Sequence, residues 1–127
     1  MTQSPLSKDT ILSVLQPKTV NILEAVEIHQ TVTSTNDRLW ERLSEGGESP
    51  AICLSEMQTQ GRGRRGDRWQ SPSSGNLYLS IFWPFPANIT KSGLSIAVGI
   101  TLINTLKAQG INDLKLKWPN DIWYKKQ

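Results

Sequence analysis

The densest chemistry in the sequence lies in Gln58-Thr59-Gln60-Gly61-Arg62-Gly63-Arg64-Arg65-Gly66-Asp67-Arg68-Trp69. Three glycines let a backbone close tightly around a ligand and offer N–H groups to it. Interleaved arginines hold phosphate or carboxylate oxygens through charge-assisted pairs. Trp69 adds a flat face for a nucleobase. Gly61-x-Gly63-x-x-Gly66 has the spacing of a dinucleotide fingerprint, but a strand follows it instead of a helix, and no acid lies near position 86 to hold a ribose. A Walker A loop is excluded as well, since no Lys-Ser/Thr pair follows the glycines. From this segment alone, a solvated Arg/Gly surface loop that binds RNA weakly stands open beside a dedicated anion site.

Three further segments carry polar groups at suitable places. In Lys115-Leu116-Lys117-Trp118-Pro119-Asn120-Asp121, a strand-end lysine precedes a proline-stiffened turn that presents an amide and a carboxylate. That set suits an anionic substrate with a ribose or Mg²⁺; an ordinary Pro-Asn-Asp turn has the same composition. Thr33-Ser34-Thr35-Asn36 reads as a helix N-cap whose hydroxyls and amide could also hold a small polar head group. Gly75-Asn76-Leu77-Tyr78-Leu79-Ser80 alternates as a strand, one face of which could wall an apolar pocket. His29, the single histidine, reads as structural, and Cys53, the single cysteine, as a buried small hydrophobe.

Composition narrows the classes. With 127 residues, 37% hydrophobic and 20% charged, the chain has the length and balance of one globular domain with a modest core. One cysteine excludes an internal disulfide framework, and one histidine removes most His-based triads and His-cluster metal sites. The start lacks a basic region followed by an apolar run, and the most apolar stretch, 93–103, is far shorter than the ~20 residues of a membrane span. A cytoplasmic, reducing compartment is the default expectation. The net charge of +3 is concentrated: Arg62, Arg64, Arg65 and Arg68 against Asp67 account for it, and the remaining charges balance. A local anion fits this pattern better than a uniformly basic nucleic-acid surface.

The elements that must position these groups follow from period and punctuation. Ser7 caps a short helix that Pro17 ends. Residues 25–32 form a strand. A helix starts at Ser34, carries Leu39, Trp40 and Leu43 on its apolar face, and stops at Gly46-Gly47. Residues 51–56 form a second strand, 57–75 a long loop, and 76–83 a third strand. Residues 91–109 form a helix with Leu94, Ala97, Val98, Thr101, Leu102 and Leu106 on one face. Residues 113–118 form a strand, Pro119-Asn120 a turn, and 121–124 the start of a strand left without a return partner, an edge liability that points to a truncated frame. The sum is an α/β or α+β domain built on one sheet.

Taken together, the four segments resemble the biotin protein ligases, also called biotin–[acetyl-CoA-carboxylase] ligases. Thr33–Asn36, the Gly-Arg-Gly-Arg-Arg-Gly loop with Trp69, Gly75–Ser80 and Lys-Trp-Pro-Asn-Asp occur in that family's order and at similar spacing, over roughly residues 25–127. The resemblance implies an α+β fold: a mixed β-sheet flanked by helices, a class II aminoacyl-tRNA-synthetase-like core that is incomplete at the C-terminus. Residues 1–24 would then be a helical lead-in and 25–127 part of the catalytic domain. It also implies a two-step reaction, in which biotin and MgATP give biotinyl-5′-AMP and a lysine of the biotin carboxyl carrier protein then takes the biotinyl group. The implied biotin set is Ser34, Thr35, Asn36, Gln58, Gly61, Arg62, Arg64 and Tyr78. Arg62, Arg64, Arg65, Trp69, Asn120 and Asp121 would serve ATP and the adenylate, and Arg64 and Lys117 the reacting charges, with Mg²⁺ carried by ATP and not by a protein cluster.

Departures from the family pattern carry expectations too. Bifunctional members bear an N-terminal helix-turn-helix, for which residues 1–24 are too few, so no DNA binding is expected. The family core runs on past the Lys-Trp-Pro-Asn-Asp turn and includes a further lysine near the position where this chain ends, so impaired activity is expected of these residues. The competing readings are a lipoate–protein ligase of the same broad fold and a non-enzymatic nucleic-acid module using the arginine loop, whose affinity would fall steeply with salt.

Overall fold

The computed structural model describes residues 6–73 and 75–125. Helix α1 (Lys8–Val14) starts at Ser7, whose hydroxyl accepts from the Thr10 amide at 3.4 Å. Pro17 ends it, as expected, and also opens a helix that the sequence reading lacks, α2 (Pro17–Ile22). At the first helical position the missing proline N–H would have had no intrahelical partner, so the residue stops one helix and starts the next.

The chain divides into two compact units, Met1–Phe85 and Pro86–Gln127. In the first, strands β1 (Ala25–Val32), β2 (Ala51–Gln58) and β3 (Tyr78–Phe82) form a mixed sheet in the order β1-β2-β3. β1 and β2 run parallel, and β2 and β3 antiparallel. A parallel pair needs a crossover, and helix α3 (Thr35–Ser44) supplies it, lying across one sheet face. Small residues make that close approach possible: Ala51 and Cys53 of β2 are fully buried beneath Leu39 of α3, with Ala25 and Phe82 at the sides. α1 lies against β1, and the Leu6 amide donates to the Glu56 carboxylate at 2.7 Å. Of the apolar face expected for α3, Leu39 is buried but Trp40 is 62% exposed.

The second unit holds α4 (Leu94–Ala108) and the antiparallel pair β4 (Leu114–Lys117) and β5 (Asp121–Tyr124). The mixed sheet flanked by helices is as expected; two further expectations are not met. Among the described residues the five strands form two sheets and not one, because β4 and β5 are joined by three residues and pair with each other. For the same reason 121–124 is the second arm of a hairpin and has its partner: Lys117 pairs with Asp121 and Leu114 with Tyr124. On α4 the buried position is Gly99, where a Cβ would come within 2.6 Å of Leu116 Cδ1. Leu94, Val98 and Leu102, assigned to the buried face by period, remain exposed. Apolar residues also occupy the other sides of α4, so its period singles out no one face. Among the described residues no helix is long and apolar enough to cross a membrane.

Candidate functional site

Parallel pairing sets the site in the first unit. Val32 and Gln58, the last residues of β1 and β2, are partners in register, so the groups that follow both strands emerge at one sheet end. Pairing continues past the strands, with the Thr59 amide donating to the Val32 carbonyl at 3.0 Å and the Gln60 amide to the Thr33 carbonyl at 2.8 Å. This prolongs β2 two residues beyond the strand expected from sequence and places the Gln58 side chain on ordered backbone.

There Gln58 meets the start of α3. Ser34 is the N-cap, its hydroxyl accepting from the Asp37 amide at 3.3 Å, and both Ser34 and Thr35 are buried. The Gln58 Oε1 accepts from the Thr35 amide at 2.8 Å and from the Thr35 hydroxyl at 3.2 Å. The Thr35 and Ser80 hydroxyls lie 2.8 Å apart, and Gln58 Nε2 donates to the Ser71 hydroxyl at 3.1 Å. The helix start and the loop stem thus meet on the Gln58 side-chain amide at the strand end, and the antiparallel strand joins them through Thr35. Tyr78, on the Ser80 face of β3, donates its phenol hydrogen to the Pro72 carbonyl at 3.0 Å. Asn36 is exposed and lines a cleft of about 310 Å³ with Leu39, Trp40, Leu43, Phe82 and Phe85.

The arginine segment closes on itself. Arg62 and Arg68 form an antiparallel bridge, the Gly63 amide donates to the Asp67 carbonyl at 2.7 Å, and the Trp69 amide to the Gly61 carbonyl at 2.8 Å. Residues Arg64–Gly66 make a 3₁₀ turn at the tip, with Arg65 (φ 64°) and Gly66 (φ 83°) in the left-handed region. Gly61 is buried at the base, while Arg62, Arg64, Arg65 and Trp69 are exposed. Arg62 is ion-paired with Asp37 in the first turn of α3, which ties the loop to the helix N-terminus. The part of 57–75 that carries the arginines is therefore a tight loop anchored at its base.

On β1 and β2, Glu27, His29 and Cys53 bring three possible metal-ligand atoms within 4.8 Å of one another. Their charge is already matched. Arg38 donates to Glu27 through Nε at 2.8 Å and a terminal nitrogen at 3.3 Å, and His29 lies 3.2 Å from the same carboxylate. Burial alone would raise the Glu27 pKa, but the hydrogen bonds from Arg38 and His29 win and hold it below its ordinary value. Burial, with Glu27 adding to it, pushes the Cys53 thiol up to about 11, so the sulfur is a protonated thiol at neutral pH. The group is an ion-pair network under α3, consistent with a structural His29 and a buried Cys53.

Lys117, Asn120 and Asp121 lie in the second unit, at the exposed end of the β4–β5 hairpin. The Lys117 ammonium sits 4.3 Å from the Trp123 ring centre, which steadies it by a cation–π contact. The Trp118–Pro119 peptide in the connecting turn is cis. Sequence reasoning assigned no role to Ser71 or Ser80. Ser80 shares a strand face with Tyr78 and Phe82, a lone hydroxyl between two aromatics, and that alternation was a usable signal. Ser71 had none, because its partners come only with the folded loop.

Comparisons with known proteins point one way. The model of the biotin/lipoate A/B protein ligase family matches residues 28–127. The bifunctional ligase/repressor BirA of Salmonella typhimurium is 35% identical over 119 residues, spanning 84% of this chain and 37% of that protein. BirA of Escherichia coli K12 is 39% identical over 100 residues, spanning 78% of this chain and 31% of that protein. The biotin protein ligase of Aquifex aeolicus, solved with biotin and ATP, superposes with a TM-score of 0.66 at 30% identity, over 80% of this chain and 42% of that one. The chain thus spans about a third of the length of these curated relatives.

Proposed function

The chain belongs to the biotin/lipoate A/B protein ligase family, and from that premise we propose that it carries the biotin-binding part of a biotin–protein ligase. The reaction is ATP-dependent. A biotin carboxylate oxygen attacks the α-phosphorus, pyrophosphate leaves, and biotinyl-5′-AMP forms. A lysine amine of the biotin carboxyl carrier protein then attacks the acyl carbon, and AMP leaves. Both steps need anions held together and developing charge stabilised, and neither needs a protein nucleophile. The compartment assigned by this reading is the cytoplasm, which supplies ATP.

The observation that carries the reading is the polar floor made by Thr35, Gln58 and Ser80 beside a loop rich in arginine. A ureido ring carries two N–H donors and one strong carbonyl acceptor, and a floor of hydroxyls and an amide answers both. The dithiolane of lipoate offers neither, so this floor favours biotin. Ser34, Thr35, Asn36 and Gln58 take the ring end, Gly61 gives the ligand backbone access, and Tyr78 walls the aliphatic part. Arg62, Arg64 and Arg65 meet the carboxylate and phosphates from a loop already tied to α3, and Trp69 offers its exposed face to adenine. Lys117 serves the phosphates. Magnesium enters with ATP; the exposed Asp121 carboxylate and Asn120 amide are hard oxygen donors of the kind it accepts, and bound there it would shield phosphate charge.

Calorimetric titration with biotin and with lipoate, and mass spectrometry for biotinyl-5′-AMP after incubation with biotin and MgATP, test the proposal. Biotin binding that Gln58→Ala weakens at least tenfold is expected. Lipoate binding without biotin binding, or affinity for RNA that falls steeply with salt in a chain indifferent to biotin, overturns it.

A further inference from the structure

We propose that Ser71 is a positioning residue that fixes the Gln58 amide and both stems of the arginine loop at once; its effect on ligand affinity rests on the biotin reading above, and its effect on the loop does not. Donor and acceptor chemistry settles the direction of the bonds. The Thr35 amide can only donate, so the atom of Gln58 facing it is the oxygen, and Nε2 faces Ser71. An amide oxygen cannot donate, so the Thr35 hydroxyl gives its hydrogen to Oε1, and Ser80 must then donate to Thr35 across the 2.8 Å contact. On the other side Gln58 Nε2 donates to Ser71 Oγ, whose own hydrogen goes to the Trp69 carbonyl at 3.3 Å. The result is one directional chain, from Ser80 through Thr35, Gln58 and Ser71 to Trp69, in which each bond polarises the next.

Ser71 closes that chain at the loop base. Its carbonyl accepts from the Gln58 backbone amide at 3.2 Å, so side chain and main chain grip the same residue. Its hydroxyl oxygen lies only 2.5 Å from the position a Cβ on Gly61 would take, and the Gly61 carbonyl accepts from the Trp69 amide. Only a glycine at 61 leaves room for this hydroxyl. Ser71 is 6% exposed, so no water substitutes for it readily. Without the hydroxyl, Nε2 loses this partner and the Trp69 carbonyl loses its side-chain link to Gln58, leaving the two stems joined by main-chain bonds alone.

Amide hydrogen exchange resolved by residue tests this in Ser71→Ala and Ser71→Thr. In Ser71→Ala, exchange at the Gly63 and Trp69 amides should rise about tenfold, the size of one lost hydrogen bond at a local opening, while Cys53 and Leu54 in β2 keep their protection. Ser71→Thr, which keeps the hydroxyl, should restore slow exchange at Trp69. Unchanged exchange at Gly63 and Trp69 in Ser71→Ala overturns the proposal, and so does equal loss of protection throughout β2, which would make Ser71 a general packing residue. Biotin titration adds the second arm, with affinity falling about tenfold in Ser71→Ala and recovering in Ser71→Thr. A wild-type chain that binds no biotin defeats the ligase reading, and the exchange arm still decides the role of Ser71.

Discussion

The three glycines of the arginine loop should respond to alanine in three different ways, for reasons the geometry separates. At Gly61 the obstacle is steric. A Cβ would lie 2.5 Å from Ser71 Oγ, 3.0 Å from Gln58 Nε2 and 3.0 Å from the Trp69 carbonyl oxygen. The two side-chain atoms can move, but moving them breaks the Gln58–Ser71 bond and the Ser71–Trp69 bond. At about 0.5–1.5 kcal/mol each, with about 1 kcal/mol or more for overpacking against the fixed carbonyl, the cost is roughly 2–4 kcal/mol. At Gly66 nothing lies within 4 Å of the added carbon, but φ is +83°, so the cost is conformational, about 1–2 kcal/mol, and confined to the tip. At Gly63 the nearest neighbours stand at 3.5 Å, ordinary contact, and alanine should be close to neutral. Urea melts of the three variants should therefore rank Gly61→Ala below Gly66→Ala below Gly63→Ala in stability. Biotin affinity should fall for Gly61→Ala above all. A Gly61→Ala protein as stable as Gly63→Ala would refute the packing described at the loop base.

Thr35→Val keeps shape but removes the hydroxyl between Gln58 and Ser80, leaving Ser80 unsatisfied; a loss of about 1–3 kcal/mol in urea melts is expected, part of it recovered in the Thr35→Val/Ser80→Ala double variant. Cys53 titrates near 9.0 when unfolded and about 11 when folded, so its contribution is complete below pH 9 and is lost as pH rises from there to 11. The ceiling of that loss is roughly 2–3 kcal/mol, and across this range the stability of wild type should fall more steeply than that of Cys53→Ala. Glu27 is depressed below its 4.5, so the stability it lends is present above that pH and fades as pH falls through the lower folded value. Arg38→Met removes the main partner and should shift the acid transition of the chain upward in a pH titration followed by circular dichroism.

Much of the first unit was legible because local rules agree with tertiary needs there. Residues 25–32 alternate enough to mark a strand, and Ser34 with Asp37 writes a helix start whose first turn the fold also bonds to Gln58 and Ser80. Gln58 is not legible as a strand residue, because a polar side chain at a strand end looks like loop until its pairing with Val32 is known. The arginine loop was legible in composition and not in form. Nothing in 61–69 announces that Arg62 would bridge to Arg68 or pair with Asp37, since both depend on where β1 and β2 end. The pairing of 121–124 depends instead on a short connection. The expected strand 113–118 exceeds β4 by one residue at each end, and the three-residue connection to 121–124 makes a hairpin the cheapest pairing open to either strand.

That contrast bears on how the site works. The groups placed by local sequence, Ser34, Thr35 and Gln58, form the rigid floor, held by bonds of 2.8 to 3.3 Å at the ends of paired strands. Arg62, Arg64 and Arg65, which the proposal assigns to the ligand's charges, ride on a loop whose attachment to that floor passes through Gly61, Ser71 and the Arg62–Asp37 pair. A neutral ring needs fixed hydrogen-bond geometry, whereas an anion meeting exposed guanidinium groups tolerates movement of the charges that neutralise it. Substitutions at the floor should therefore weaken binding of the ring. Substitutions at the tip arginines should weaken retention of the phosphate-bearing product while leaving ring binding close to its original strength. Arg64→Gly is the direct comparison with Gln58→Ala, read as dissociation of biotinyl-5′-AMP against affinity for biotin alone, and equal effects of the two variants on both quantities would show that loop and floor are not the separable parts their anchoring makes them.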